Sequence, residues 1–553
     1  MCPGSTAVFP RATVRLKPAA AAALLVAVCR IAAGSTALAE IALPGILGSH
    51  MVLQRDMPVP IWGTAGKGET ITVRFRDQEK TAVAEPDGRW MLRLDPLAAG
   101  GPDALTIEGS SSKPVALDDV LVGEVWLGSG QSNMDTTPKS SRAEAEKLGQ
   151  PPDPRLMRDI EQSYPRLRLF RHNASTKGMP TWRPSTPETN RNSSALLFEF
   201  GIQLQAELDV PVGLVMGAEG GTHTFVWIPR DAFLKDTSIQ AILAKGASAF
   251  ETKRRQAQEE LDRWKSSEAA APPGAKPPVR VPVHPNEQPA VGQNYRRFIR
   301  VHAPFAIRGV LWDQGESGSG IDGIDVHTMM GPLIAAWRAD WEQGEFPWIY
   351  MQKPSGWGCP LDSADPLTER AVPFAPLPPR LPWGYDGGGR RVMFARIREY
   401  PNTAMACVSD LGVGLHPLDK TAYATRAVRV AMRAAYSAPV EIYGPEFRSM
   451  DLLENGRIRV HFKGVGPGLA VPAGRPLQGF AIAGEDRVWR WAEALIEGDT
   501  VVVWNQSVPK PVAVRYGWAE RMPWATLFSG NGLPALTFRT DDWEERPPVK
   551  DRQ

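Results

Sequence analysis

Between Asp119 and Pro439 short apolar runs alternate with helix-forming stretches, and this alternation restricts the fold more than any other feature of the chain. The runs are Val120–Leu127, Val212–Met216, Gly309–Trp312, Trp348–Met351 and Ala404–Val408. Strands separated by helical stretches predict a parallel sheet in an α/β domain. The texture differs on either side. From Ile41 to Leu117 alternating runs such as Ile71-Thr72-Val73-Arg74-Phe75 are broken by Ala65-Gly66, Pro86-Asp87-Gly88 and Gly100-Gly101-Pro102, which predicts a small antiparallel β-sandwich. From about Val440 to Thr540 short strands return, among them Ile458–Phe462 and Val501–Trp504. No repeat of fixed period is present. Inside the α/β stretch, the charged, helix-prone Glu251–Lys265 and the Ala/Pro-rich Ala269–Pro285 read as an exposed helix followed by a loop or lid.

The ends of the chain set the boundaries. At 553 residues it is too long for one compact core. Its first residues carry Arg11, Arg15 and Lys17 with no acid, then run apolar from Pro18 to Cys29 and end near Ala37-Leu38-Ala39. That is the pattern of a cleaved signal peptide, and the run is too short for a permanent anchor. The expected organisation is a signal peptide over 1–39, a β-sandwich over 40–117, a catalytic α/β domain over 118–439 with an insertion at 251–285, and a β-rich region over 440–553. The expected location is the periplasm or the medium.

Losing the leader removes Arg11, Arg15, Lys17 and Arg30 and no acid, which takes the formal charge from +2 to −2. A mildly acidic chain without Lys/Arg blocks gives no electrostatic case for nucleic acid or anionic lipid as a partner. Cys359 and Cys407 alone remain. They make neither a disulfide framework nor a metal site, and one bridge or two buried thiols both stay open. Oligomeric state is not legible.

Chemistry concentrates in four places. The run Val120–Leu127 leads into Gly128-Ser129-Gly130-Gln131-Ser132-Asn133-Met134. A serine there stands at the C-terminal end of a strand, where open α/β sheets place ligands, with its own N–H turned toward an oxyanion. The pattern is not the GxSxG elbow. Ala218-Glu219-Gly220-Gly221-Thr222 follows a second strand, and glycines there let a backbone N–H approach the same point. In Trp312-Asp313-Gln314-Gly315-Glu316-Ser317, the Gln314 amide can donate to an oxyanion and Glu316 can orient an imidazole. In Leu415-His416-Pro417-Leu418-Asp419-Lys420, a histidine just before the amphipathic helix Thr421–Tyr436 suits a general base. Of the 8 histidines, only His416 and the pocket-lining candidate His223 have such a setting.

The segments Gly123-Glu-Val-Trp-Leu-Gly-Ser-Gly-Gln-Ser-Asn-Met134, Gly220-Gly221-Thr222, Trp312–Ser317 and Leu415–Lys420, in this order, resemble the sialate O-acetylesterase family of SGNH hydrolases. Met51–Gly63, Val514–Ala519 and Gly532–Ala535 resemble the family's ends, so nearly the whole mature chain is covered. The resemblance implies a flavodoxin-like three-layer SGNH domain flanked by β-rich regions. It implies Ser132 as nucleophile, His416 as base and later acid, an oxyanion held by the N–H groups of Ser132 and Gly221 with the Gln314 amide, and no cofactor or metal. The expected substrate is an O-acetylated sugar, either a sialic acid or a plant polysaccharide such as xylan, xyloglucan or pectin.

The sequence also departs from the family. Three residues before His416, where many SGNH enzymes carry the acid, stands Val413. Glu316, then Asp410, then a backbone carbonyl are the candidates to orient His416. Asp313 and Gly318 are further departures beside the pocket, and Trp227 and Trp357 are the aromatics expected near substrate. Two other readings compete: a non-catalytic glycan-binding protein, and a lipase or thioesterase, which the charged Pro-rich 251–285 stretch does not fit.

Overall fold

In the computed structural model residues 40–267, 276–353, 375–379, 381, 387–411, 416–519 and 521–543 are described. The predicted leader, Trp357 and Cys359 lie outside them. Strands β1 (Val52–Gln54), β2 (Val59–Thr64), β3 (Thr70–Phe75), β4 (Gln78–Val83), β5 (Arg89–Leu94) and β6 (Gly100–Gly109) lead into the 16-residue strand β7 (Val115–Gly130). Its first half pairs antiparallel with β6, and Leu121–Gly123 pairs in parallel with β1. The change of texture between 117 and 118 falls within this one strand.

The central sheet is completed by β8 (Tyr164–Arg171), β9 (Trp182–Ser185), β10 (Val212–Ala218), β11 (Gly309–Asp313), β12 (Trp348–Met351) and β13 (Thr403–Ala406). Its order is β13-β12-β11-β7-β10-β8-β9. All neighbours run parallel except β9, which is antiparallel to β8. Successive side chains on a strand point to opposite faces, and here they enter two separate cores. Val125, Leu127, Val310, Trp312, Trp348 and Tyr350 enter one core, while Trp126, Leu311, Ile349 and Met351 enter the other. The helix Val326–Trp341 covers the first face through Met329, Leu333 and Trp337. Helices Ala195–Leu208 and Lys420–Tyr436 cover the second through Leu196, Phe200, Ala427 and Ala431. The result is three layers. From β7 the chain moves first toward β8 and β10 and later returns to β11 on the other side. A crevice therefore opens beyond the C-terminal end of β7, between β10 and β11.

The described C-terminal residues build two four-stranded antiparallel sheets and a two-stranded one. Ile458, Val460 and Val503 of one four-stranded sheet meet Ile482, Val514 and Tyr516 of the other in a shared core. Arg398 fastens this unit to the central sheet by two bonds of 2.9 Å to Glu446. The exposed helix runs over Thr237–Ser267, longer than its charged part. Its first turns carry Ile239, Ile242 and Leu243 onto the core, and this apolar anchor extends it. Among the described residues no helix is long and apolar enough to cross a membrane. Cys407 is a buried free thiol whose Sγ donates to Gln352 Oε1 at 3.2 Å.

His172 Nδ1 and His302 Nε2 meet at 2.9 Å between the rings of Phe170 and Phe298. Burial holds both imidazoles neutral, and that of His302 is pushed down to about 3. The unfolded chain then binds more protons than the folded one below about pH 6.5, so this pair's stability is complete above that pH and drains away as pH falls. Melting temperature is expected to drop between pH 7 and pH 5, and to drop less in His302→Gln, which keeps a hydrogen-bonding side chain without titrating. An equal drop in both proteins would show that the pair is not the source.

Candidate active site

The strand β7 ends on Gly130, whose φ of +128° suits glycine. A Cβ there would stand 2.2 Å from the Asp313 carbonyl oxygen. That close approach lets the Gln131 N–H donate to the same carbonyl at 2.9 Å, and it seats Ser132 as the first residue of the short helix Ser132–Asp135. Ser132 is half-buried in the crevice at the end of the sheet. His416, on the segment before the helix Lys420–Tyr436, places Nε2 at 2.9 Å from Ser132 Oγ. The glycine turn after β10 runs alongside: a Cβ on Gly220 would lie 3.7 Å from the Ser132 Cβ, and Gly221 has φ +71°. Three sheet-end loops and the histidine segment thus converge on one hydroxyl.

Under this turn lies a buried polar floor. Glu316 accepts from Gln131 Nε2 and from Asn133 Nδ2, each at 2.7 Å, so one carboxylate grips both neighbours of Ser132. Lys353 Nζ bridges Glu316 and Asp313 at 2.8 Å each. Lys420 Nζ donates to Asn133 Oδ1 at 2.7 Å. Burial works against the Glu316 anion, but Lys353 overrides it and holds the carboxyl below its ordinary range. Burial raises Asp313 despite the same lysine. Flanked by two carboxylates, Lys353 is pushed up, whereas burial brings Lys420 down to about 8. Burial and then the Lys420 charge lower His416. A neutral His416 with its proton on Nδ1 offers Nε2 as an acceptor for the serine proton.

The remaining predicted residues are placed as follows. Neither carboxylate expected to orient His416 is hydrogen-bonded to it among the described residues. Glu316 serves the serine turn, and Asp410 pairs with Arg426 at 2.9 Å, which ties it to the helix Lys420–Tyr436. Residues 412–415 lie outside the described set. Gln314 accepts from Thr224 Oγ1 at 2.7 Å, and its amide nitrogen faces the carbonyls of Gly318 and Thr222 at 3.2 and 3.3 Å. The side chain expected at the oxyanion instead fastens two loops. Trp227, expected near substrate, is fully buried beside Trp312 and Trp337, and it donates Nε1 to Thr222 Oγ1 at 3.0 Å. Its ring is core, out of reach of a sugar. Asp313 is likewise 0% exposed and belongs to the floor, away from substrate. His223 is exposed, stacks on Phe225 and sets Nδ1 2.5 Å from the Ser317 carbonyl.

Sequence reasoning gave no role to Asn133, Lys353 and Lys420, nor to Asp135, which accepts from Arg171 and Asn173 at 2.8 Å each. Beyond Arg171 a cavity of ≈ 490 Å³ opens, with Lys177 and Arg183 at its lining. The spacing of Lys420, four residues past His416, was visible in the sequence. A lysine such as Lys353, just past a buried strand, carries no signal of its own.

No family model matches the chain. Mouse sialate O-acetylesterase is 26% identical over 531 residues, covering 89% of this chain and 93% of the mouse protein. The human sialate O-acetylesterase is 24% identical over 436 residues, covering 74% of this chain and 73% of the human one. The crystal structure of a carbohydrate acetylesterase from Xanthomonas citri superposes with a TM-score of 0.69 at 26% identity, covering 91% of this chain and all of that one. Over most of its length the chain is thus similar to sialate O-acetylesterases and to a carbohydrate acetylesterase. Resemblance and geometry meet at the same place, since the Ser132 turn and the His416 segment that carry the resemblance are two that the fold brings together.

Proposed function

We propose that the protein is a serine carbohydrate O-acetylesterase of the SGNH type, exported by its N-terminal leader and acting on acetyl esters of sugar hydroxyls. The observation that carries the serine assignment is the 2.9 Å contact between Ser132 Oγ and His416 Nε2 at the crevice where strand order reverses. The likeness to named acetylesterases over most of the chain carries the substrate class.

Ser132 Oγ attacks the acetyl carbonyl carbon while its proton passes to His416 Nε2. The carbonyl π electrons move onto oxygen, and the N–H groups of Ser132 and Gly221 receive that oxyanion. Collapse breaks the bond to the sugar oxygen, which leaves with the proton from His416. Water then attacks the acetyl-serine, again losing its proton to His416, and acetate departs as the serine recovers its hydroxyl. No step needs a metal or an organic cofactor. Asp135, Gln314 and the Glu316 floor hold the loops that deliver these groups.

Acetate release from 9-O-acetylated sialic acid and from acetylated xylan, side by side, tests the reading and selects the substrate. Release from one far above the other assigns the class of sugar. No release from either, by a protein that still binds these glycans, would favour a binding protein.

A further inference from the structure

Two lysines lie beneath the Ser132 turn, and among the described residues only Lys353 is in direct ion-pair contact with carboxylates. Lys353 sits between Asp313 and Glu316. Lys420 is the first residue of the helix Lys420–Tyr436 and is 1% exposed. Its ammonium donates to Asn133 Oδ1 at 2.7 Å and lies 5.6 Å from the centre of the Tyr423 ring. Asn133 follows Ser132 in the chain, and Lys420 lies four residues past His416, so one side chain joins the nucleophile's turn to the base's segment.

We propose that Lys420 is a positioning residue of this reaction, which fixes the Ser132 turn through Asn133 and supplies the buried positive charge that keeps His416 unprotonated and favours the oxyanion. The inference rests on the Ser132–His416 reading. His416 must be neutral to take the serine proton, and charges from every side bear on that. Lys420 acts from the helix after it and Lys353 from the end of β12, both disfavouring an imidazolium; Glu316 from the loop after β11 and Glu144 from the helix Pro138–Lys147 favour one. Lys420 leads the charges. Asp313, Glu316 and Asp419 favour the ammonium, whereas burial and Lys353 oppose it and bring it to about 8. Lys420 therefore gives up its charge at the upper end of the neutral range, and the oxyanion then loses a buried positive neighbour.

The test is the pH profile of kcat/KM for p-nitrophenyl acetate, measured on wild type, Lys420→Met, Lys420→Arg and Ser132→Ala. Wild type should lose activity on the acid side as His416 protonates, and on the alkaline side near pH 8 as Lys420 loses its proton. In Lys420→Met the acid limb should move up by about one pH unit and the alkaline limb should vanish, with kcat lowered and KM little changed. Lys420→Arg should keep the acid limb and lose the limb near pH 8, because a guanidinium stays charged beyond about pH 12. A folded Lys420→Met with both limbs at their wild-type positions would overturn the proposal. So would Lys420→Arg with its alkaline limb unmoved, and this second variant decides the matter if the methionine variant does not fold. Undiminished activity in Ser132→Ala would sink the esterase reading itself, a separate result.

Discussion

Ser132→Ala is expected to lower kcat/KM for acetate release by about 10⁴-fold or more, and His416→Ala by a similar factor. The expectation comes from the 2.9 Å contact between the two side chains, which makes each useless without the other. Without Oγ there is no atom to be acylated. Without the imidazole, Ser132 keeps its proton and attacks only at the rate of an un-ionised alcohol. The double variant should therefore be no worse than the worse single one, because residues acting as a unit lose their contribution once. Single-turnover acetate release measures all three. Losses that multiply in the double variant would mean that the residues serve separate steps and would dismantle the pair.

Lys353→Met should have the largest effect on stability, about 3–5 kcal/mol at neutral pH. Lys353 is 2% exposed, Asp313 is fully buried, and the Glu316 side chain is 13% exposed. Removing the shared cation leaves two neighbouring carboxylates, one fully and one largely buried, without their counter-charge. Their folded pKa values then rise above their unfolded ones, so the variant should be stabilised where both are protonated and should lose stability as pH climbs through the raised values. Its deficit relative to wild type should thus shrink between pH 7.5 and pH 5. Denaturant unfolding at the two pH values checks this, and a deficit independent of pH would show that the lysine contributes packing and not charge. Some loss of activity should accompany the loss of stability, because Glu316 would no longer hold Gln131 and Asn133 on either side of Ser132.

The legible and illegible parts of the sequence divide along physical lines. The central strands could be read because Val125, Trp126 and Leu127, or Val310, Leu311 and Trp312, are apolar in succession and feed two cores. Strand β8 could not, because Arg166 and Arg168 break its apolar run; Arg168 is nevertheless buried, meeting Asp119 at 2.9 Å. In β9, Pro184 argues against a strand until its edge position is known. Ser132 and His416 were legible because turn glycines and a helix start announce them. The floor was not, since lysines are ordinarily exposed and only tertiary contacts show Lys353 and Lys420 to be buried. Trp227 misled for the converse reason: an aromatic after a glycine loop looks like a sugar platform, and here it fills the core around Trp312. Gln314, Glu316 and Asp410 find their hydrogen-bond partners in Thr224, Gln131, Asn133 and Arg426, and pairings between segments so distant in sequence are not legible from the chain alone.

The strand Val115–Gly130 is pinned near its start by β6 and at its end by β10 and β11. At about 3.3 Å per residue its 16 residues span at most roughly 50 Å, with an irregularity at Asp119 (φ +54°) part-way along and the Ser132 hydroxyl just beyond its tip. The N-terminal strands and the Ser132 turn therefore share one continuous strand, so cutting the chain between them would sever the element that carries Ser132.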